Sequence, residues 1–205
     1  MALATRVSAH LSPANVTEIS AAAAHARAIG LPLNHHLTVH FANLDEAPGR
    51  NLPQQRLAGL LELARHWLGR RGYQLAAVWV LEAGIRGVHA HIHLHLPRHL
   101  VDNFGARLPG WLRHVPGDEH NSPPIRLDPA PRSNGLLRYM CKGMEAQTAR
   151  AYGVRPVSQG RIQGKRAGVT HILGRSARAR QTPPAKPLGR PYEAREATGP
   201  SSSPA

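Results

Sequence analysis

Thiols are nearly missing from this chain: Cys141 is the one cysteine in 205 residues. A lone cysteine excludes an intramolecular disulfide and any zinc site built from cysteines, and it accords with a reducing cytoplasm. Long apolar runs are missing too. The longest, Leu75–Leu81, falls far short of the roughly 20 residues that span a bilayer, so a membrane partner is not expected. The alanines at 21–24 follow a Ser12–Ser20 stretch too polar for the apolar part of a signal peptide. Neither an internal repeat nor a His-Glu-x-x-His segment occurs, and the second absence weakens a zinc-protease reading.

Acidic residues are the scarcest relative to their partners, 12 Asp and Glu against 26 Lys and Arg, for a formal charge of +14. Such a surface attracts phosphate. The imbalance peaks between Glu145 and Glu193, where there is no acid at all. The first part of that span, Gln159–Val169, mixes glycine, cations and isolated apolar residues. It reads as a DNA-gripping extension, against the alternative of a plain basic tail. The residues expected to meet phosphate are Arg161, Lys165, Arg166 and Arg175, with Arg138 just upstream. Aromatic residues are scarce there, which argues against a base-stacking platform.

Histidine is abundant. In Gly87–Pro97, four histidines (89, 91, 93, 95) alternate with small or apolar residues. Strand side chains repeat every second residue, so all four imidazoles share one face, with Val88, Ala90, Ile92, Leu94 and Leu96 on the other. Neighbours stand about 6.6 Å apart and can lean onto one ion, whereas His89 and His95 are about 20 Å apart and cannot. The preceding run, Gln74–Glu82, is apolar and ends in a carboxylate, and Gly84 and Gly87 flank a tight reversal. A hairpin with Ile85 and Arg86 at its tip sets Glu82 opposite His89. His89 and His91 are then the pair an acid can join. His93 and His95 read as a solvated edge or an adventitious metal binder, which is also the bland reading of the whole strand face.

Further along, Asn134–Gly143 carries Tyr-x-x-Lys on a helical pattern. Leu136, Leu137, Met140, Cys141 and Met144 form its apolar stripe, and Tyr139 projects well away from it, with Lys142 one turn on. A tyrosine serving only the core would lie inside the stripe.

Together and in this order, these residues resemble the HUH endonucleases, and among them the rolling-circle replication initiators. The resemblance runs roughly from Leu33 to Tyr152. It rests on a strand Leu37–Phe41, on His89-Ala90-His91 with upstream Glu82, and on the Tyr139-x-x-Lys142 helix. Ala90 is smaller than the residue usual between the histidines, and no helicase segment is recognisable. Relaxases place the tyrosine before the histidines, an order this chain does not have.

The resemblance implies a Mg²⁺ or Mn²⁺ ion on His89 and His91 with Glu82 as third ligand, and Tyr139 as the nucleophile. The products are a 5′-phosphotyrosyl enzyme and a free 3′-OH. A phenol is a poor nucleophile at neutral pH, so Lys142 is expected to stabilise its developing charge. The substrate is single-stranded DNA at an origin hairpin or nick site, and host replication proteins are the expected recruits. The alternatives are a single-tyrosine transposase of the same superfamily, a non-catalytic DNA-binding protein, and a His/His/Glu metallohydrolase in which Tyr139 is structural.

The element order expected is strand–helix–strand–strand–helix–strand–helix, an α+β fold whose antiparallel sheet is covered by helices, ferredoxin-like in outline. Residues 1–30 read as a helical extension, 31–153 as the nicking domain, 154–181 as the basic extension and 182–205 as a disordered Pro/Ser-rich tail. Pro109-Gly110 is expected to kink or split the helix that begins near Leu100. His40 approaches the histidine strand if the first strand pairs beside it. His35, His36, His66, His99, His114 and His120 show no convergent spacing.

Overall fold

The computed structural model describes residues 6–41, 52–84, 87–114, 125–130 and 133–181. In chain order its elements are β1 (Val7–Ser8), α1 (Pro13–Ala28), β2 (His35–His40), α2 (Leu52–Gly69), β3 (Ala77–Gly84), β4 (Gly87–Leu94), α3 (Val101–His114) and β5 (Ile125–Pro129). There follow α4 (Ser133–Met140), α5 (Ala146–Ala151), β6 (Ile162–Gln163), β7 (Ala167–Val169) and α6 (Arg175–Gln181). The fold is α+β. Five strands form one antiparallel sheet in the order β5-β2-β4-β3-β7, and β1 pairs with β6 in a separate ribbon. The expected tail at 182–205 and the hairpin tip at Ile85 and Arg86 lie outside the described residues. No described helix is long and apolar enough to cross a membrane.

Alternation along the strands divides the side chains between two cores. Leu37, Val39, Trp79, Leu81, Ala90, Ile92 and Leu94 face α2 and α3, meeting Leu57, Leu60, Trp67, Phe104, Leu108 and Leu112. Val78 and Val80 face the other way, onto Val16, Ile19, Ala22 and Ala23 of α1 and onto Met140, Cys141 and Met144. Alanines let α1 lie close to the sheet, and its start is fixed by a reciprocal cap between Ser12 and Asn15. The sheet is therefore covered on both faces.

Two boundaries differ from expectation. Helix α3 runs unbroken through Pro109. An interior proline costs about 3 kcal/mol, but Phe104, Leu108 and Leu112 lie on one helical face and are all buried. Each contributes about 1.5–3 kcal/mol, which outweighs the loss. The segments read as extensions are also built into the body of the protein. Helix α1 closes the second core, and β7 extends the sheet beside β3 through Val78–Val169, Trp79–Gly168 and Val80–Ala167. Strands of two or three residues carry no readable periodicity, which is why they were invisible in the sequence.

Truncation after Gly153 is therefore expected to remove a strand as well as cations. Its thermal unfolding, followed by circular dichroism, should lose the cooperative transition of the full chain. An unchanged melting temperature would show residues 154–205 to be an appendage.

Candidate active site

The β3–β4 hairpin sets the register. Gly84 pairs with Gly87, so Glu82 falls opposite His89 and Val80 opposite His91, as the two-residue tip implies. Gly87 has φ +85°, a left-handed value that glycine takes without steric penalty. On the far side of β4, His40 pairs with His89 and Thr38 with His91, so β2 does lie beside the histidine strand. The rings of His40 and His89 are 5.0 Å apart and nearly parallel.

Glu82 is the centre of the site. It is 1% exposed, and its Oε2 lies 3.3 Å from His89 Nε2, 3.4 Å from His91 Nε2 and 3.1 Å from Lys142 Nζ. Burial alone would raise its pKa. The contacts of His89 and His91, with the charges of His91 and Lys142, outweigh burial and hold the carboxyl well below the ordinary carboxylate range. Glu82 is accordingly a carboxylate at neutral pH.

Tyr139 and Lys142 reach this centre from the opposite layer. Helix α4 ends at Met140 and tightens into a 3-10 turn, Cys141–Gly143. Residues three apart eclipse in such a turn, and Lys142 Nζ sits 3.6 Å from the centre of the Tyr139 ring. Met140 and Cys141 anchor the segment in the second core. The turn is pinned by Leu11 N–H donating to the Gly143 carbonyl at 2.8 Å and Val157 N–H donating to the Lys142 carbonyl at 2.9 Å. Gly143 is required by close approach, because a Cβ there would stand 2.6 Å from Gln159 Cγ. Tyr139 stays 47% exposed, and its ring meets that of His91 edge-on at 5.4 Å. One tyrosine is thus open to solvent yet in contact with the buried cluster.

Burial pushes the Cys141 thiol up to about 11, so it is a core side chain and not a nucleophile. Iodoacetamide at pH 8 should leave Cys141 unmodified in the folded protein and alkylate it fully in urea. Equal labelling in both states would contradict the burial.

The donor set suits a divalent cation. One ligand atom each from Glu82, His89 and His91 lies within 4.8 Å of the others. Glu82 Oε1 is buried without a hydrogen-bond partner, and His91 Nε2 has no well-aligned one beyond its 3.4 Å contact with Glu82, a costly arrangement that coordination would relieve. A carboxylate with two imidazoles accepts Mn²⁺ or Zn²⁺ readily and Mg²⁺ through its oxygen.

Other histidines fall differently from expectation. His36 Nε2 lies 3.0 Å from His91 Nδ1, a contact that sequence reasoning missed. Strand parity is the one signal available, and the adjacent His35 and His36 leave it ambiguous until β2 pairs with β4. His93 is fully buried, not a solvated edge; neither of its nitrogens has a well-aligned partner, although the Leu33 carbonyl is near enough to favour a proton. Burial, with neighbouring imidazoles, pushes both His36 and His93 down to about 4. His95 remains partly exposed, with Nδ1 2.8 Å from the Pro32 carbonyl.

The cations proposed from sequence to contact DNA are scattered in role. Arg161 and Lys165 are exposed, flanking β6. Arg138 is exposed on α4 and donates to the Tyr152 carbonyl at 3.0 Å. Arg175 is exposed but pairs with Glu18, as does Arg178. Arg166 departs from the expectation of a phosphate contact: it is 3% exposed and donates to Ser8 O at 2.7 Å and to the carbonyls of Gln159 and Gly160. Its charge is used internally, to hold Ser8 and the Gln159–Gly160 loop together beside β3. Comparison of the chain with protein-family models, curated proteins and solved structures finds no match.

Proposed function

We propose that the protein is a metal-dependent nicking and joining enzyme for single-stranded DNA, with Tyr139 as nucleophile, of the HUH replication-initiator kind. The observation that carries this reading is the meeting of the half-exposed Tyr139 with His91 of the Glu82–His89–His91 cluster and with Lys142. A structural tyrosine needs neither neighbour. The order β2-α2-β3-β4-α3-β5, with both helices over one sheet face, also suits the ferredoxin-like palm of that class.

A divalent ion on Glu82, His89 and His91 would supply Lewis-acid polarisation of the scissile phosphate. Tyr139 Oη attacks phosphorus and gives its proton to solvent, to which it is open; the new bond is O–P, and the bond broken is that to the 3′ oxygen, which takes up a proton from water and leaves as a 3′-OH. The 5′-phosphotyrosyl bond keeps the phosphodiester's energy for rejoining. Lys142, over the ring, stabilises the phenolate as it forms. Exposed Arg138, Arg161 and Lys165 are candidates for gripping the strand. Replication initiation and single-tyrosine transposition share this chemistry, and the first is the reading preferred.

The test is incubation with 3′-end-labelled single-stranded DNA and Mn²⁺, read as an SDS-stable protein–DNA adduct. Metal-dependent cleavage without adduct would make water the nucleophile and favour a His/His/Glu metallohydrolase. Binding without cleavage would favour a non-catalytic DNA-binding protein.

A further inference from the structure

We infer that His36 is a positioning residue for the metal site: its Nε2 accepts the Nδ1–H of His91 and so makes His91 Nε2, beside Glu82, the nitrogen that exchanges its proton for a bound ion. The inference rests on reading Glu82, His89 and His91 as the metal ligands, and it does not depend on what reaction the ion serves.

A neutral imidazole carries one proton, on one of its two nitrogens. His91 Nδ1 and His36 Nε2 are 3.0 Å apart, so a single proton lies between them. When it resides on His91 Nδ1, His91 Nε2 is free to bind an ion. When it resides on His36 Nε2, the His91 proton must sit on Nε2, and that ligand position is closed. Thr38 Oγ1 is 3.4 Å from both nitrogens and can turn to suit either arrangement. His91 is 5% exposed, so water does not readily replace His36 as the acceptor.

The backbone makes this contact specific. Strand register places Thr38 directly across from His91 and His36 across from His93. His36 therefore reaches His91 along the diagonal, a span open to long or aromatic side chains. The two ring planes are inclined by 27° with centroids 5.1 Å apart. Phenylalanine at 36 would keep that ring area and lose the acceptor, whereas glutamine would keep an acceptor on a flexible stem.

The experiment uses the full chain with two readouts. Long-range ¹H–¹⁵N spectra of the Zn²⁺-loaded wild type should show His91 protonated at Nδ1 and bound through Nε2. Mn²⁺ titration should show His36→Phe binding about 10- to 100-fold more weakly, the usual cost of losing such a partner, with His36→Gln recovering most of the affinity. Coordination of His91 through Nδ1 in the wild type would overturn the inference, whether or not His36→Phe folds. So would equal Mn²⁺ affinity in a folded His36→Phe. A wild type that binds neither Zn²⁺ nor Mn²⁺ overturns the metal site itself and this inference with it. Metal binding that depends on His36 without any DNA cleavage supports the inference and sinks only the nicking reading.

Discussion

Tyr139→Phe is expected to abolish the covalent protein–DNA adduct and lower strand cleavage at least about a thousandfold, the scale seen when a nucleophile is removed. The substitution deletes one oxygen from a ring that is 47% exposed. Folding is held elsewhere in that segment, by Met140, Cys141 and the two backbone hydrogen bonds to Lys142 and Gly143. Metal and DNA affinities should stay near wild type. Tyr152→Phe serves as the control: Tyr152 is similarly exposed, and only its carbonyl makes a hydrogen bond to Arg138, which phenylalanine retains. Lys142→Ala should slow the reaction by roughly ten- to a thousandfold without eliminating it, because it removes charge stabilisation and leaves the nucleophile. Full activity in Tyr139→Phe would transfer the attack to water.

The second large effect is expected at the metal ligands. His89→Ala, His91→Ala and Glu82→Gln should each remove metal-dependent cleavage, while DNA binding measured by fluorescence anisotropy changes little. Glutamine is preferred at 82 because it keeps the volume of a side chain buried against two imidazoles and an ammonium. Removing a partner from a buried charge pair commonly costs about 3–5 kcal/mol, so Glu82→Ala would confuse folding with catalysis. His95→Ala should be mild, since its ring hydrogen-bonds the Pro32 carbonyl beyond the end of β4. Equal damage from His95→Ala and His91→Ala would mean that the wrong pair had been chosen.

The central pair of strands was readable in the sequence because a two-residue tip leaves little freedom of register, and period-two alternation then decides which side chains share a face. Those two constraints alone bring Glu82, His89 and His91 onto one face. Tyr139 and Lys142 were legible for a similar reason: an offset of three brings residues together in an α-helix and in a 3-10 turn alike. His36 was not legible, because His35-His36 offers two parities and only pairing with β4 selects one. His93 is buried where its sequence reads as solvated, because an alternating strand looks half-solvated until a second layer covers it. That layer includes α1, whose alanine-rich sequence gives little amphipathic signal. In the basic segment, glycines and cations masked Ala167 and Val169 of β7, and Arg166 carries a charge that the fold uses internally.

The most direct test of the account maps the covalent bond. The full chain is reacted in Mn²⁺ with a 3′-labelled single-stranded oligonucleotide spanning a cleavable site, digested with nuclease and protease, and sequenced by tandem mass spectrometry. The expected result is a nucleotide 5′-phosphate on the peptide containing Tyr139, dependent on the metal and absent in His91→Ala. A phosphotyrosyl bond at Tyr152 instead, or metal-dependent cleavage with no modified peptide, would contradict the account.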